Sequence, residues 1–342
     1  MTMKAFLFKF KAQPNEHCIV DDVPKPVPSK DEVLVKVKYS ALDTTVEPII
    51  NKEFPVAYVL HKLKDPLYMG YHYSGTISAV GSEVPAGAGL NEGVDVFGFL
   101  QYNGSQTQGA FAEYITIKHY ECAVKPNGID YDVAAASTTE PVTALQALRD
   151  KGGLQTSPDM SKQQQTVLVV GAGGGVGSAA VQIAKNLFGA HVTAVCSTRD
   201  VEQVRHEFGA HVVVDRSLEP DYVQKLIKEN IQFDVILDAP CALSSNATKL
   251  LKPKGTIVTT APSGTMYLNQ TKLACTSKSA DWIMCDSNQR DLSTIAELLA
   301  GQNQLIVPID STFNVKNMSQ AMIRHAGRKK GRVVIKIENG WN

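Results

Sequence analysis

No apolar run in this chain reaches the ~18 to 20 residues that a helix needs to cross a bilayer. The opening stretch, Met1 to Phe10, lacks the apolar core of a secretory signal and the Arg/Ser-rich character of a transit peptide. It alternates apolar and polar residues as a strand does, and a cytoplasmic location is the expectation. An excess of charge is also missing: 34 basic residues meet 34 acidic ones, for a formal net charge of zero. A balanced chain offers no electrostatic case for nucleic acid or an anionic membrane as partner. The basic cluster from Arg324 to Arg332 reads as a solvated helix end and turn. C-x-x-C pairs are absent. Cys18, Cys122, Cys196, Cys241, Cys275 and Cys285 stand apart, as thiols of a reducing compartment do.

What is present is glycine, 25 residues of it, and 44% hydrophobic residues spread over 342 positions, enough for two domains. The first third reads as β. Lys4 to Phe10 and Glu32 to Lys38 alternate, with the Pro24–Pro28 break between them. Short strands between glycines follow at Gly75–Gly81, Gly93–Gly98 and Gly109–Ile117, the pattern of a barrel-like domain. Beyond Pro126 the rhythm changes, and Asp132 to Leu148 is alanine-rich with helical spacing. Strands at Val167–Val170, His191–Val195, Val212–Val214, Phe233–Leu237 and Gly255–Thr260 alternate with amphipathic helices. That alternation predicts a parallel, doubly wound sheet. A final strand, Arg332–Ile337, is expected to return to the first domain.

The strand at Val167–Val170 runs into Gly171-Ala-Gly-Gly-Gly-Val-Gly177. A strict G-x-G-x-x-G does not fit, but Ala172-x-Gly174-x-x-Gly177 has the same spacing. Glycine at 174 lets backbone approach a pyrophosphate, and Gly177 lets the helix pack close to the strand. The helix start, with Gly175 and Val176, offers unpaired N–H groups and a partial positive charge. No G-K-[ST] follows, which argues against a P-loop nucleotidase. An NAD-selective site would place an acid at the end of the next strand; here that strand ends in Val195-Cys-Ser-Thr-Arg199. Ser197 and Thr198 can donate hydrogen bonds and Arg199 supplies charge for a 2′-phosphate, so NADPH is the expected cofactor. Asp200 would compete only if the strand ended late. Asp238-Ala239 and Thr260-Ala261 end later strands of the same sheet, where ligands bind.

With these features, and with Asp31–Val37, Gly70–Gly75, Gly109–Tyr114 and Gly331–Ile335, the chain resembles the medium-chain dehydrogenase/reductase superfamily, in its zinc-independent, quinone oxidoreductase-like (zeta-crystallin-like) branch. The resemblance implies an α/β fold: a GroES-like β-rich catalytic domain at 1–127, completed by 306–342, plus a doubly wound Rossmann domain at 128–305 that binds NADP(H). It implies a small-molecule substrate between them, and a homodimer or homotetramer. It also implies that Thr143 touches the nicotinamide and that Arg332 belongs with the cofactor-binding residues. The zinc-dependent relatives hold their metal with Cys, His and Cys. At those positions stand Asp43, Tyr71 with His72 beside it, and Glu140, so no bound metal is expected.

Without a Lewis acid, the resemblance implies hydride transfer to a carbon already polarised by conjugation, in a quinone, enone or enal. The protein's part is orientation and a donor near the acceptor oxygen. Tyr71 can donate, and Asp43 can if burial raises its pKa; Glu140 is the third candidate catalytic residue. Each has a plain structural role as its alternative: Tyr71 as a wall, Asp43 capping a turn through Thr44 and Thr45, and Glu140 complementing a helix dipole. Two other functions stay open on the sequence, an enoyl-thioester reductase and a non-catalytic, crystallin-like NADPH-binding protein.

Overall fold

The computed structural model describes residues 1–9, 11–13, 16–51, 66–101, 107–156 and 164–341. They divide into two compact units. The first holds Met1–Thr139, Ser287–Gln302 and Val307–Asn342, the second Glu140–Asp286 and Asn303–Ile306. No helix among the described residues is long and apolar enough to cross a membrane.

The first unit begins with β1 (Thr2–Phe8), β2 (Cys18–Pro24), β3 (Glu32–Ala41), β4 (Leu67–Tyr68), β5 (His72–Val80), β6 (Asp95–Phe99), β7 (Tyr114–Lys118) and β8 (Cys122–Val124). The alternation in β1 and β3 turns one face inward, where Phe6, Phe8, Val33, Val35 and Val37 are buried. β1 pairs antiparallel with β2 and β4. β3 pairs antiparallel with both β5 and β7.

The alanine-rich stretch Asp132–Leu148 holds two helices, Tyr131–Ala136 and Thr139–Gln146. Pro141 explains the interruption. It has no N–H to give to the Ser137 carbonyl, and its ring would collide with that carbonyl in a continuous helix. Ser137 turns its hydroxyl back to the Val133 carbonyl instead, at 2.6 Å.

The second unit is a parallel sheet. β9 (Thr166–Val170), β10 (His191–Cys196), β11 (Val212–Asp215), β12 (Phe233–Asp238), β13 (Leu251–Thr259) and β14 (Ser279–Trp282) line up as β11-β10-β9-β12-β13-β14. Every described pairing among them is parallel. The near-continuous Val/Leu/Ile runs of β9 and β12 follow from burial on both faces. The strand order reverses between β9 and β12, which makes their carboxyl ends the topological switch point. β14 is an edge strand whose sequence, Ser-Ala-Asp-Trp, carries no apolar run, and it is not among the expected strands.

β15 (Ile309–Asn314) and β16 (Arg332–Lys336) return to the first unit. β16 pairs antiparallel with β3 in the register Val334↔Ala41, Ile335↔Ser40, Lys336↔Tyr39, and parallel with β15. Val333, Ile335 and Ile337 are fully buried in the core of that unit.

Candidate functional site

Two constellations hold most of the site residues named from sequence, one in each unit. In the second unit, β9 ends at Val170 and the chain turns through Gly171, whose φ of 78° lies in the left-handed region. The amides of Gly171 and Ala172 both donate to the Val195 carbonyl at 3.0 Å, which binds the turn to the end of β10. Ala172 is fully buried, and Gly174 and Gly175 are exposed at the start of the helix Gly175–Asn186. A side chain at Gly177 would place its Cβ 2.1 Å from the Gly171 carbonyl oxygen. The third glycine therefore serves close packing; the Gly174 amide donates to the Gly171 carbonyl at 2.9 Å, and the helix start at Gly175 is where N–H groups would meet a phosphate.

The side chain of Glu140 lies over this helix start. A Cβ built at Gly175 would be 2.9 Å from Glu140 Cγ. Glu140 also opens its own helix, Thr139–Gln146, where a carboxylate complements the dipole. Thr143 is buried on that helix.

At the end of β10, the Ser197 hydroxyl donates to Asp200 Oδ2 at 2.7 Å, and Arg199 Nε lies 3.2 Å from Asp200 Oδ1. Thr198 gives its hydroxyl to Asp215. Asp238, the last residue of β12, accepts from the amides of Ala242 and Leu243 at 3.0 and 2.8 Å, and burial raises its pKa. Thr260 donates to the Ala239 carbonyl at 2.7 Å, and Ala261 accepts from Thr259. Ala239, Thr260 and Ala261 thus gather at the carboxyl ends of β12 and β13. Cys241 joins them, its thiol 3.8 Å from the Thr260 hydroxyl and its φ at 54°. Sequence reasoning passed it over, because a lone cysteine after Ala-Pro carries no motif.

In the first unit, strand register builds the second constellation. Extending the β16–β3 pairing by two residues sets Arg332 opposite Asp43, and the Leu42 amide donates to the Val333 carbonyl at 2.9 Å. His72 opens β5 on the other side of β3, and its carbonyl accepts from the Ser40 hydroxyl. Three strand ends therefore deliver a carboxylate, an imidazole and a guanidinium to one buried place. Arg332 Nη2 lies 3.0 Å from His72 Nε2, and Asp43 Oδ2 lies 3.3 Å from the same nitrogen. A guanidinium can only donate. Nε2 is thus the accepting nitrogen, and the ring proton sits on Nδ1, 2.7 Å from Thr138 Oγ1. Burial and the nearby Arg332 charge lower the His72 pKa, so the ring is neutral.

Asp43 departs from one expectation. Burial does push its carboxyl up, but the hydrogen bonds it accepts from the Thr45 amide and hydroxyl draw it below its ordinary value. Asp43 is ionised at neutral pH, where it accepts hydrogen bonds and cannot donate one. The expected turn cap through Thr45 is present. Arg332, brought down by burial to about 10, keeps its charge. His325 also belongs to this unit; burial and Lys329 push it down to about 4. Tyr71 is buried within the apolar core of the unit. The remainder of the basic cluster behaves as expected of a surface, with Arg324 paired to Asp310; Arg332 is the exception.

Two family models match the chain: an alcohol dehydrogenase GroES-like domain over residues 29–127 and a zinc-binding dehydrogenase over 175–301. A zinc-type alcohol dehydrogenase-like protein of Staphylococcus epidermidis is 32% identical, over 75% of this chain and 73% of its own. A chloroplastic quinone-oxidoreductase of Triphysaria versicolor is 26% identical over 92% of both chains. An NADPH-dependent alkenal/one oxidoreductase of Arabidopsis thaliana is 29% identical over 75% of this chain and 62% of its own. The chain spans about half to under two thirds of the length of the first curated relatives it matches. In fold it is similar to the quinone oxidoreductase of Coxiella burnetii, with a TM-score of 0.79 at 24% identity over 98% of this chain and 99% of that one.

Proposed function

The chain belongs to the medium-chain dehydrogenase/reductase superfamily, in its quinone-oxidoreductase-like branch, and from that premise we propose that it is an NADPH-dependent reductase of quinones or α,β-unsaturated carbonyls that works without catalytic zinc. The observation that carries the reading is the glycine turn. It exposes Gly174 and Gly175 at a helix N-terminus and is tied to the strand that leads into Ser197, Thr198 and Arg199. The helix N-terminus at Gly175 suits a pyrophosphate, and the guanidinium with its neighbouring hydroxyls suits a 2′-phosphate. A nicotinamide held there supplies hydride; the chain's own residues orient the acceptor and manage charge.

Zinc does not fit the residues at the metal-ligand positions of the first unit. His72 spends Nε2 on Arg332 and Nδ1 on Thr138, so neither nitrogen offers a metal its lone pair. Arg332 itself is already the cation beside Asp43. Without a Lewis acid to polarise an isolated carbonyl, the acceptor has to be activated by its own conjugation. The names of the alkenal/one and quinone relatives agree with that class. The ionised Asp43 orients a hydroxyl or amide of the substrate or of the protein and leaves proton delivery to another donor.

A substrate panel followed at the NADPH absorbance band tests this. Turnover is expected with enals, enones and 1,4-quinones, undiminished by a chelator. NADPH binding with no turnover on any of them would overturn the enzyme reading, and chelator-sensitive turnover would overturn the zinc-free part.

A further inference from the structure

The acid next to Arg199 is almost hidden. Asp200 closes a tight turn after β10, its amide donating to the Ser197 carbonyl at 2.9 Å. Its side chain is 8% exposed, against 48% for that of Arg199. Three neighbours surround the carboxylate. The Ser197 hydroxyl donates to Oδ2 at 2.7 Å, and Arg199 Nε donates to the same oxygen at 3.3 Å. The third is the glycine turn itself: a Cβ at Gly173 would stand 2.5 Å from Asp200 Oδ2 and 2.8 Å from its Cβ.

An acid that reads a ribose diol has to present its oxygens to the ligand. Asp200 presents almost none; it faces its own turn and the two residues best suited to grip a phosphate. Engaging Arg199 through Nε, it fixes the plane of a long side chain whose ordering otherwise costs entropy at the moment of binding. A guanidinium whose plane is fixed is preorganised to grip phosphate bidentately. We propose that Asp200 is a positioning residue for cofactor choice: it pre-orders Arg199 and Ser197 for a 2′-phosphate, and Gly173 is glycine because any side chain there would displace it. The assignment rests on the NADPH reading above and says how the strand end favours that cofactor although an acid stands inside it.

The test uses the full-length protein and two probes, 2′-phospho-ADP-ribose and ADP-ribose, titrated calorimetrically, alongside KM and kcat with NADPH and NADH. Arg199→Ala should weaken the phosphorylated probe about a hundredfold and the plain one little. Asp200→Ala should weaken the phosphorylated probe about tenfold, spare ADP-ribose, and place its effect on the KM for NADPH rather than on kcat. The double variant should lose clearly less than the product of the two single losses, because Asp200 acts largely through the Arg199 side chain. Asp200→Asn, of equal size, should retain part of the affinity. Equal weakening of both probes by Asp200→Ala, additivity in the double variant, or tighter NADPH binding once the acid is gone would overturn the positioning role. Arg199→Ala weakening both probes alike would instead remove the NADPH reading on which it stands.

Discussion

At the residue scale, the buried ionisable groups of the first unit set how the protein meets acid. His325 has a folded pKa of about 4 against about 6.5 when unfolded, so the unfolded chain binds its proton first. That contribution is full above pH ~6.5 and drains away as pH falls towards 4, about 3 kcal/mol across the window. Asp43, held below its ordinary value, stabilises above its unfolded value and loses that contribution as pH falls below about 4. Chemical denaturation at stepped pH should therefore show two successive declines, and His325→Gln should shrink the first, to which the buried His72 also contributes, while leaving the second. A single decline that His325→Gln does not alter would contradict the assignment. The positions in question were legible one by one: Asp43 and Glu140 stood out as acids where metal ligands are expected. Their company was not. Arg332 is separated from His72 by 260 residues, and only the β16–β3 register brings it to Asp43. Local sequence offers no signal for a pairing made that way.

At the element scale, the parts legible from sequence are those whose periodicity is enforced by burial. β9, β10, β12 and the glycine turn appear where the pattern puts them, because strands covered on both faces read as apolar runs. The less legible elements lie where burial is one-sided or local chemistry intervenes. β14 is an edge strand with polar residues, β2 is largely surface-facing, and Pro141 divides a stretch whose alanine content favours one helix. The glycine turn also yields a prediction. In Gly177→Ala the new methyl meets the Gly171 carbonyl, and the helix has to retreat from the strand. Nicotinamide-cofactor affinity should fall at least about tenfold, because the amides that face the phosphates move with the helix. Thermal melting should drop only a few degrees, since most of the sheet is untouched. Wild-type affinity in this variant would mean that the helix start does not hold the phosphates.

At the scale of the whole molecule, the first unit is assembled from three stretches of chain and the second chiefly from one. The two should therefore differ in their response to truncation. A chain ending at residue 308 lacks β15 and β16, and with them Val333, Ile335 and Ile337 from the core of the first unit. Hydrogen exchange on such a chain should show lost protection in β3 and β5, with protection retained in β9, β10 and β12. Retained protection throughout β3 would mean that β16 is dispensable to the sheet it joins.

The same arrangement carries a cost during synthesis. Residues emerge from the ribosome in order, so the edge of β3 at Tyr39, Ser40 and Ala41 waits for nearly three hundred residues before β16 covers it. Throughout that interval Asp43 and His72 have no guanidinium beside them. The nascent protein is thus electrically unfinished at a buried polar cluster, and a ribosome that stalls late releases a chain whose parallel sheet can form while the antiparallel sheet of the first unit stays open. Quality control that senses an exposed strand edge would detect such products; control that senses only the parallel sheet would pass them.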